Sequence, residues 1–153
     1  MANKILLIAT VAALSTLNAF TASGQTANDV VVRDAWVREA TPQDRATGVF
    51  LVIENRSTTA LSLVGADGAG AATGELHTMK MANEMMRMER VQEIPIPARG
   101  TAELKPGGFH IMLFKLSKPL VAGGSTTLTL HFSNGVTKSV PVAVVKRSAT
   151  GIK

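Results

Sequence analysis

Two histidines in this chain, His77 and His110, stand beside six methionines. Met79, Met81, Met85, Met86 and Met88 follow His77 closely, and Met112 follows His110. Apart from the first residue, those are all of the methionines; the third histidine is His131, and there is no cysteine. Thioether sulfur together with imidazole nitrogen suits a soft monovalent metal, and Cu(I) is the foremost candidate. In an extended segment, residues i and i+2 face the same way. His110 and Met112 then stand side by side, while Ile111 and Leu113 turn the other way into a core that holds the pair still. His77-Thr78-Met79 repeats the spacing, and Met86 and Met88 form a third such pair if that stretch is extended. Methionine also fills gaps in apolar cores, and a Met-rich surface can serve protein recognition. Residues 79–88 (MKMANEMMRM), however, interleave the thioethers with Lys80, Asn83, Glu84 and Arg87. A buried segment would not tolerate those without partners, so several of these methionines belong near the surface. His131, among Thr127, Thr129 and Ser133, reads as an ordinary residue of a polar strand face.

The elements that position these side chains are short β-rich runs separated by turn residues, with no long helical period. Val30–Arg38 (VVVRDAWVR) is one expected strand, 49–54 (VFLVIE) a second, and 61–64 a third, followed by a small-residue loop over 65–74. Pro95 and Pro97 force an extended connection before Thr101–Leu104. Pro106-Gly107-Gly108 predicts a tight turn, with proline setting φ and glycine free to take φ > 0. That turn launches His110–Leu116 (HIMLFKL). Residues 126–132 and 136–145 make a closing hairpin around Asn134-Gly135. A strict two-residue turn there would set Leu130 opposite Ser139, so a longer loop or a bulge is expected. The fold class is all-β, an antiparallel sandwich or barrel. The 65–74 loop and the tail 147–153 are expected to be mobile, and the ordered core to run over about 30–145.

The first residues have the layout of a secretory signal peptide: Lys4, an apolar run over 5–17, then small and polar residues over 19–24. The run is shorter than the ~20 residues a bilayer span needs, and no cysteine follows to carry a lipid. The expectation is a cleaved leader over 1–24 and a single copper-binding domain over 25–153, exported to the periplasm and not inserted in the membrane. The absence of cysteine excludes a disulfide scaffold, a thiolate metal site and a cysteine nucleophile. The net charge of +5 is spread along the chain, and one tryptophan with no tyrosine offers little to stack on bases. Nucleic-acid binding is therefore not expected.

His77, Met88, His110 and Met112 are spaced His-x10-Met-x21-His-x-Met, which resembles the signature of the periplasmic copper chaperones called PCuAC. Ala35-Trp36 with Arg38, Ile53-Glu54-Asn55, Met86-Arg87-Met88 and residues 104–112 (LKPGGFHIM) agree with it, so the likeness covers about Val30 to Val145. It implies a cupredoxin-like β-sandwich that binds one Cu(I) through His77, Met88, His110 and Met112. Met79 is an alternate or auxiliary ligand, and Met86 a further auxiliary candidate. Glu84-Met85 stands where relatives often carry Gly-Val, which adds a thioether near the site. The ending RSATGIK lacks the His/Met-rich extension some members use for a second copper.

Two imidazoles and two thioethers are neutral, so the bound ion keeps its single positive charge and favours a site near the surface. A shallow site also lets an acceptor displace one methionine at a time. The resemblance implies delivery to a copper acceptor, the cytochrome c oxidase copper centre (subunit II) or another copper chaperone, by a monomeric carrier that is not an enzyme. Binding is expected to weaken below about pH 6, because an unperturbed imidazole protonates near 6.5 and then cannot ligate. Three other readings use the same residues: an electron-transfer cupredoxin, a copper buffer or resistance protein without a dedicated acceptor, and a non-metal Met-rich protein-binding sandwich. The first lacks the cysteine that a blue-copper site requires. No Ser/His/Asp arrangement or carboxylate pair supports hydrolysis.

Overall fold

The computed structural model describes residues 26–150, so the expected leader and the last three residues lie outside it. The strands are β1 (Val30–Arg38), β2 (Ala46–Asn55), β3 (Leu61–Gly68), β4 (Ala71–Ala82), β5 (Met85–Arg90), β6 (Ile94–Ile96), β7 (Thr101–Leu104), β8 (His110–Leu116), β9 (Ser125–Phe132) and β10 (Thr137–Val145). They hydrogen-bond in the order β5-β4-β8-β2-β1-β10-β9-β3-β6, with β7 beside β2. The all-β expectation holds with one refinement. β1 runs parallel to β10 (Trp36 beside Ala143), which makes an otherwise antiparallel sheet mixed. Among the described residues no helix is long and apolar enough to cross a membrane.

The sheet curls over a core whose fully buried residues include Leu51, Ile53, Leu63, Ile94, Leu104, Ile111, Leu113, Leu128 and Leu130. β3 and β4 cross where the chain has only a hydrogen for a side chain. A Cβ on Gly74 would come within 2.0 Å of the Ala66 carbonyl oxygen.

Two features of the sheet shape the site. β2 pairs β8 through residues 46–49 and β7 through residues 51–54, so its partner strand changes at Phe50. The turn between β7 and β8 fills that break: Gly108 N–H donates to the Lys105 carbonyl at 3.0 Å, with Gly107 at φ 84°. This is the Pro-Gly turn the sequence predicts. In β1, a bulge between Arg33 and Trp36, with Asp34 at φ 52°, shifts the register against β2 by one residue. The strand's alternation reverses there. Val37 thereby enters the core, and Trp36 stands opposite Phe50.

Several expectations need correction. Residues 65–74 are not a mobile loop: 65–68 pair with β9 and 71–74 with β8, leaving a short turn at residues 69–70. The tail begins anchored, because Arg147 grips Asp44 with both terminal nitrogens at 2.9 and 3.0 Å. The extended connection at Pro95 is the short strand β6, paired on one side with β3, where a proline costs no ladder bond. The closing hairpin has the longer loop expected. Residues 133–135 form it, and Leu130 faces Lys138 rather than Ser139.

Candidate metal centre

Three neighbouring strands bring the donor residues onto one face. His77 on β4 lies opposite His110 on β8, and Arg90 on β5 lies opposite His77 on its other side. One rung away along β4, Met79 pairs with Met88 of β5. One rung the other way, Glu75 pairs with Met112 of β8, which in turn faces Gly48 of β2. All are separated by even numbers of residues and so share a face. The residues between them supply the opposite face. Leu76, Thr78, Ile111 and Leu113 are all buried there, and pin both histidine-bearing strands to the core.

The hydrogen bonds select which nitrogen of each ring is free. His110 Nδ1 lies 2.9 Å from the Gly108 carbonyl oxygen, which can only accept. Nδ1 therefore carries the proton, and Nε2 offers its lone pair. In His77 the roles are reversed. Nε2 donates to the Glu75 carboxylate at 3.1 Å, so in the neutral ring the lone pair is on Nδ1. That Nδ1 is buried and has no hydrogen-bond partner. An orphaned buried acceptor costs about 1–3 kcal/mol, a deficit that a bound cation would remove. The two ring centroids are 6.0 Å apart. Burial pushes the His110 pKa below 6.5, the bond to Gly108 opposes this, and the nearby His77 and Arg38 charges add to the lowering. The ring is thus neutral and ligand-competent at pH 7.

His110, Met112, Met79 and Met88 line an open cleft with Gly48, Phe50 and the Pro106-Gly107 turn. His77 stands beside His110 but is not part of that lining. Met88 is 51% exposed and sits at the mouth, whereas Met79 and Met112 are half-buried. Trp36 stacks on Phe50 at 4.4 Å, and the Arg38 guanidinium lies 5.3 Å above the Phe50 ring. A Cβ on Gly48 would meet Phe50 Cζ at 3.0 Å, so glycine lets the ring close one wall of the cleft. Among the described residues no three His, Cys, Asp or Glu side chains converge as they would for a hard or borderline divalent ion. The soft donors at the cleft are the His110 imidazole and the thioethers of Met79, Met88 and Met112, with Arg38, Glu39 and Arg147 also in its lining.

The family model described as "Putative lipoprotein LpqE-like" matches residues 30–144. The chain belongs to this LpqE-like family. A "Putative lipoprotein Lxx21020" of Leifsonia xyli subsp. xyli is 37% identical over 122 residues, covering 79% of this chain and 72% of that one. Two solved structures are similar to the LpqE-like chain, in line with the likeness read from its motif spacing. The Cu(I) form of DR1885 from Deinococcus radiodurans is 33% identical over 85% of this chain and 87% of that one, with a TM-score of 0.64. The copper-bound PCuAC domain of PmoF2 is 19% identical over 77% and 93%, with a TM-score of 0.65, a likeness of fold. The cupredoxin-like β fold expected from the resemblance is the fold of this chain.

The LpqE-like chain gathers most of the residues singled out in its sequence. His77, His110 and Met112 lie on adjacent strands, Met79 and Met88 on one rung, while Met86 pairs with Met81 farther out and lies off the cleft. Met85 pairs with Ala82 on the other face of the hairpin. His131 lies away from the site, bonded to Asp67. Sequence reasoning missed Glu75, although it is two residues before His77 and so on its face. It also missed Gly48, Phe50 and the Gly108 carbonyl, which no spacing marks. Arg38 was noted beside Trp36 but not as a wall of the cleft, where its Nε is buried without a partner.

Proposed function

We propose that this LpqE-like protein is an exported Cu(I) metallochaperone that holds one ion at the face shared by β4, β5 and β8 and passes it to a copper acceptor. The ligands are His77 through Nδ1, His110 through Nε2, Met88 and Met112, with Met79 as the alternate thioether. The observation that carries this reading is the His77 ring, whose Nε2 is held by Glu75 and whose buried Nδ1 has nothing to bond. Beside it, His110 has its free nitrogen fixed in the same way by Gly108. The Cu(I) form of DR1885 supports the choice of metal. The half-open setting of Met88 suits transfer: an incoming soft ligand displaces the exposed thioether first, while the imidazoles keep their hold. The protein performs no chemistry on the ion, which arrives and leaves as Cu(I).

Cu(I) competition titration tests the site. Wild type should bind one equivalent tightly, and His77→Ala, His110→Ala, Met112→Leu and Met88→Leu should each weaken it. Undiminished affinity in both histidine variants would sink the assignment. Delivery is a separate measurement: loaded protein mixed with the copper-free subunit II domain of cytochrome c oxidase should lose its ion to that domain. If it does not, this acceptor is wrong while the copper site stands.

A further inference from the structure

The inner centre leaves two thioethers on the same face without a task. Beyond His77, the β4–β5 hairpin has two chemically different faces. Met79, Met81, Met86 and Met88 occupy one, as the cross-strand pairs Met79–Met88 and Met81–Met86. Lys80, Arg87 and Glu89 occupy the other, where Lys80 and Glu89 form an ion pair at 2.7 Å. The thioether face therefore carries no charged side chain between the hairpin tip and the His77–Arg90 rung. Core packing does not account for it: Met81 is 66% exposed and Met86 49%. Directly opposed residues of an antiparallel pair have Cβ atoms about 4.5–5.5 Å apart. Methionine's three rotatable bonds let two such sulfurs, and a third from the next rung, converge on one soft ion.

We propose that Met81 and Met86, assisted by Met79 or Met88, form a second, outer Cu(I) site, an all-thioether stage through which the ion reaches or leaves the histidine centre. This rests on the copper reading above and adds a route to it. Thioethers alone hold Cu(I) more weakly than a set containing imidazole, so the outer ion exchanges readily. Passage inward breaks a Cu–S bond to Met81 or Met86 as one to Met79 or Met88 forms. No electron moves, and the ion keeps its single charge.

The test is Cu(I) titration of the full protein against a strong chelator, bathocuproine disulfonate, and a weak one, ferrozine. Methionine methyl resonances are followed by NMR. Wild type should retain one equivalent against the strong chelator and a second only against the weak one, with the Met81 and Met86 methyls shifting during the second. Met81→Leu/Met86→Leu should lose the second equivalent and keep the first; leucine at these exposed positions leaves the core untouched. His77→Ala should strike the first equivalent and spare the second, so failure of the inner assignment is read separately. A wild type that never exceeds one equivalent, or a double variant that still binds two, overturns the outer site.

Discussion

A neutral imidazole has one lone pair to offer, and the partner of its other nitrogen decides where it points. In His77 that partner is Glu75, itself close to Arg90 at 3.5 Å. Removing such an orienting partner from a metal-binding histidine typically lowers affinity about 10–100-fold. Glu75→Ala is expected to weaken Cu(I) binding on that order and to let the His77 proton move between its nitrogens, visible in the apo protein as a changed imidazole 15N pattern. An unchanged pattern would show that Glu75 does not set the tautomer. His110 yields a pH prediction. Its folded-state pKa lies below 6.5 because the ring is buried. As pH falls, the unfolded chain takes this proton first. The His110 contribution to stability is therefore complete above about 6.5 and is lost as pH falls from there through the lowered value. In the apo protein its ring resonances should titrate below 6.5; a midpoint at or above 6.5 would contradict the burial argument. The same lowering carries His110 ligation further into acid than the unperturbed value used from sequence would allow. His-x-Met spacing made these ligands legible. Their hydrogen-bond partners were not, because the Gly108 carbonyl is backbone and no residue type announces it.

The bounds of Val30–Arg38, Thr101–Leu104 and His110–Leu116 were legible to the residue. Thr101–Leu104 also alternates strictly, since one face must be buried and a slip would expose it, whereas the reversal of alternation at the Arg33–Trp36 bulge of β1 was not legible. Residues 65–74 were misread because glycine and alanine have little strand preference of their own; pairing with β9 and β8 imposes the conformation. The β4–β5 turn shows the reverse conflict. Asn83 and Glu84 both have positive φ, 50° and 63°, in a two-residue connection between Ala82 and Met85. Asparagine tolerates that region, whereas a glutamate there costs about 1–2 kcal/mol. Glycine removes this strain but has more backbone freedom to lose, worth about 0.5–1 kcal/mol. Glu84→Gly, which creates the Asn-Gly pair such turns favour, should therefore raise stability by about 0.5–1 kcal/mol in urea unfolding. It should leave tight Cu(I) binding unaltered, since Glu84 is exposed in the turn and is not part of the cleft lining. A loss of stability would mean that the Glu84 side chain holds the turn in some other way.

For the molecule as a whole, the cleft exists because β2 changes partners at Phe50 and because the curled sheet brings β3 across β4. The first follows from the Pro106-Gly107 turn, which the sequence displays. The second depends on Gly74, one small residue in a run of small residues, and nothing in the sequence says which of them must remain glycine. The backbone approach does. Ala66 O would lie 2.0 Å from a new Cβ, and Leu113 packs on the other side at 3.5 Å. Alanine cannot be accommodated by rotating a side chain, since the obstacle is a carbonyl in a strand paired to β9. β3 and β4 would have to separate. Overpacking of this kind costs about 1–3 kcal/mol, and Gly74→Ala should show at least that loss in urea unfolding. Because β4 carries His77 three residues later, the strain should reach the site as well. Cu(I) affinity should fall in Gly74→Ala even though no ligand has changed, and far more than in Gly70→Ala, whose strain comes from a φ of 75° in the turn at residues 69–70 and whose new Cβ would meet the side chains of Ser117 and Lys118 rather than backbone. Equal effects of the two substitutions on the metal would show that the β3–β4 crossing does not position His77.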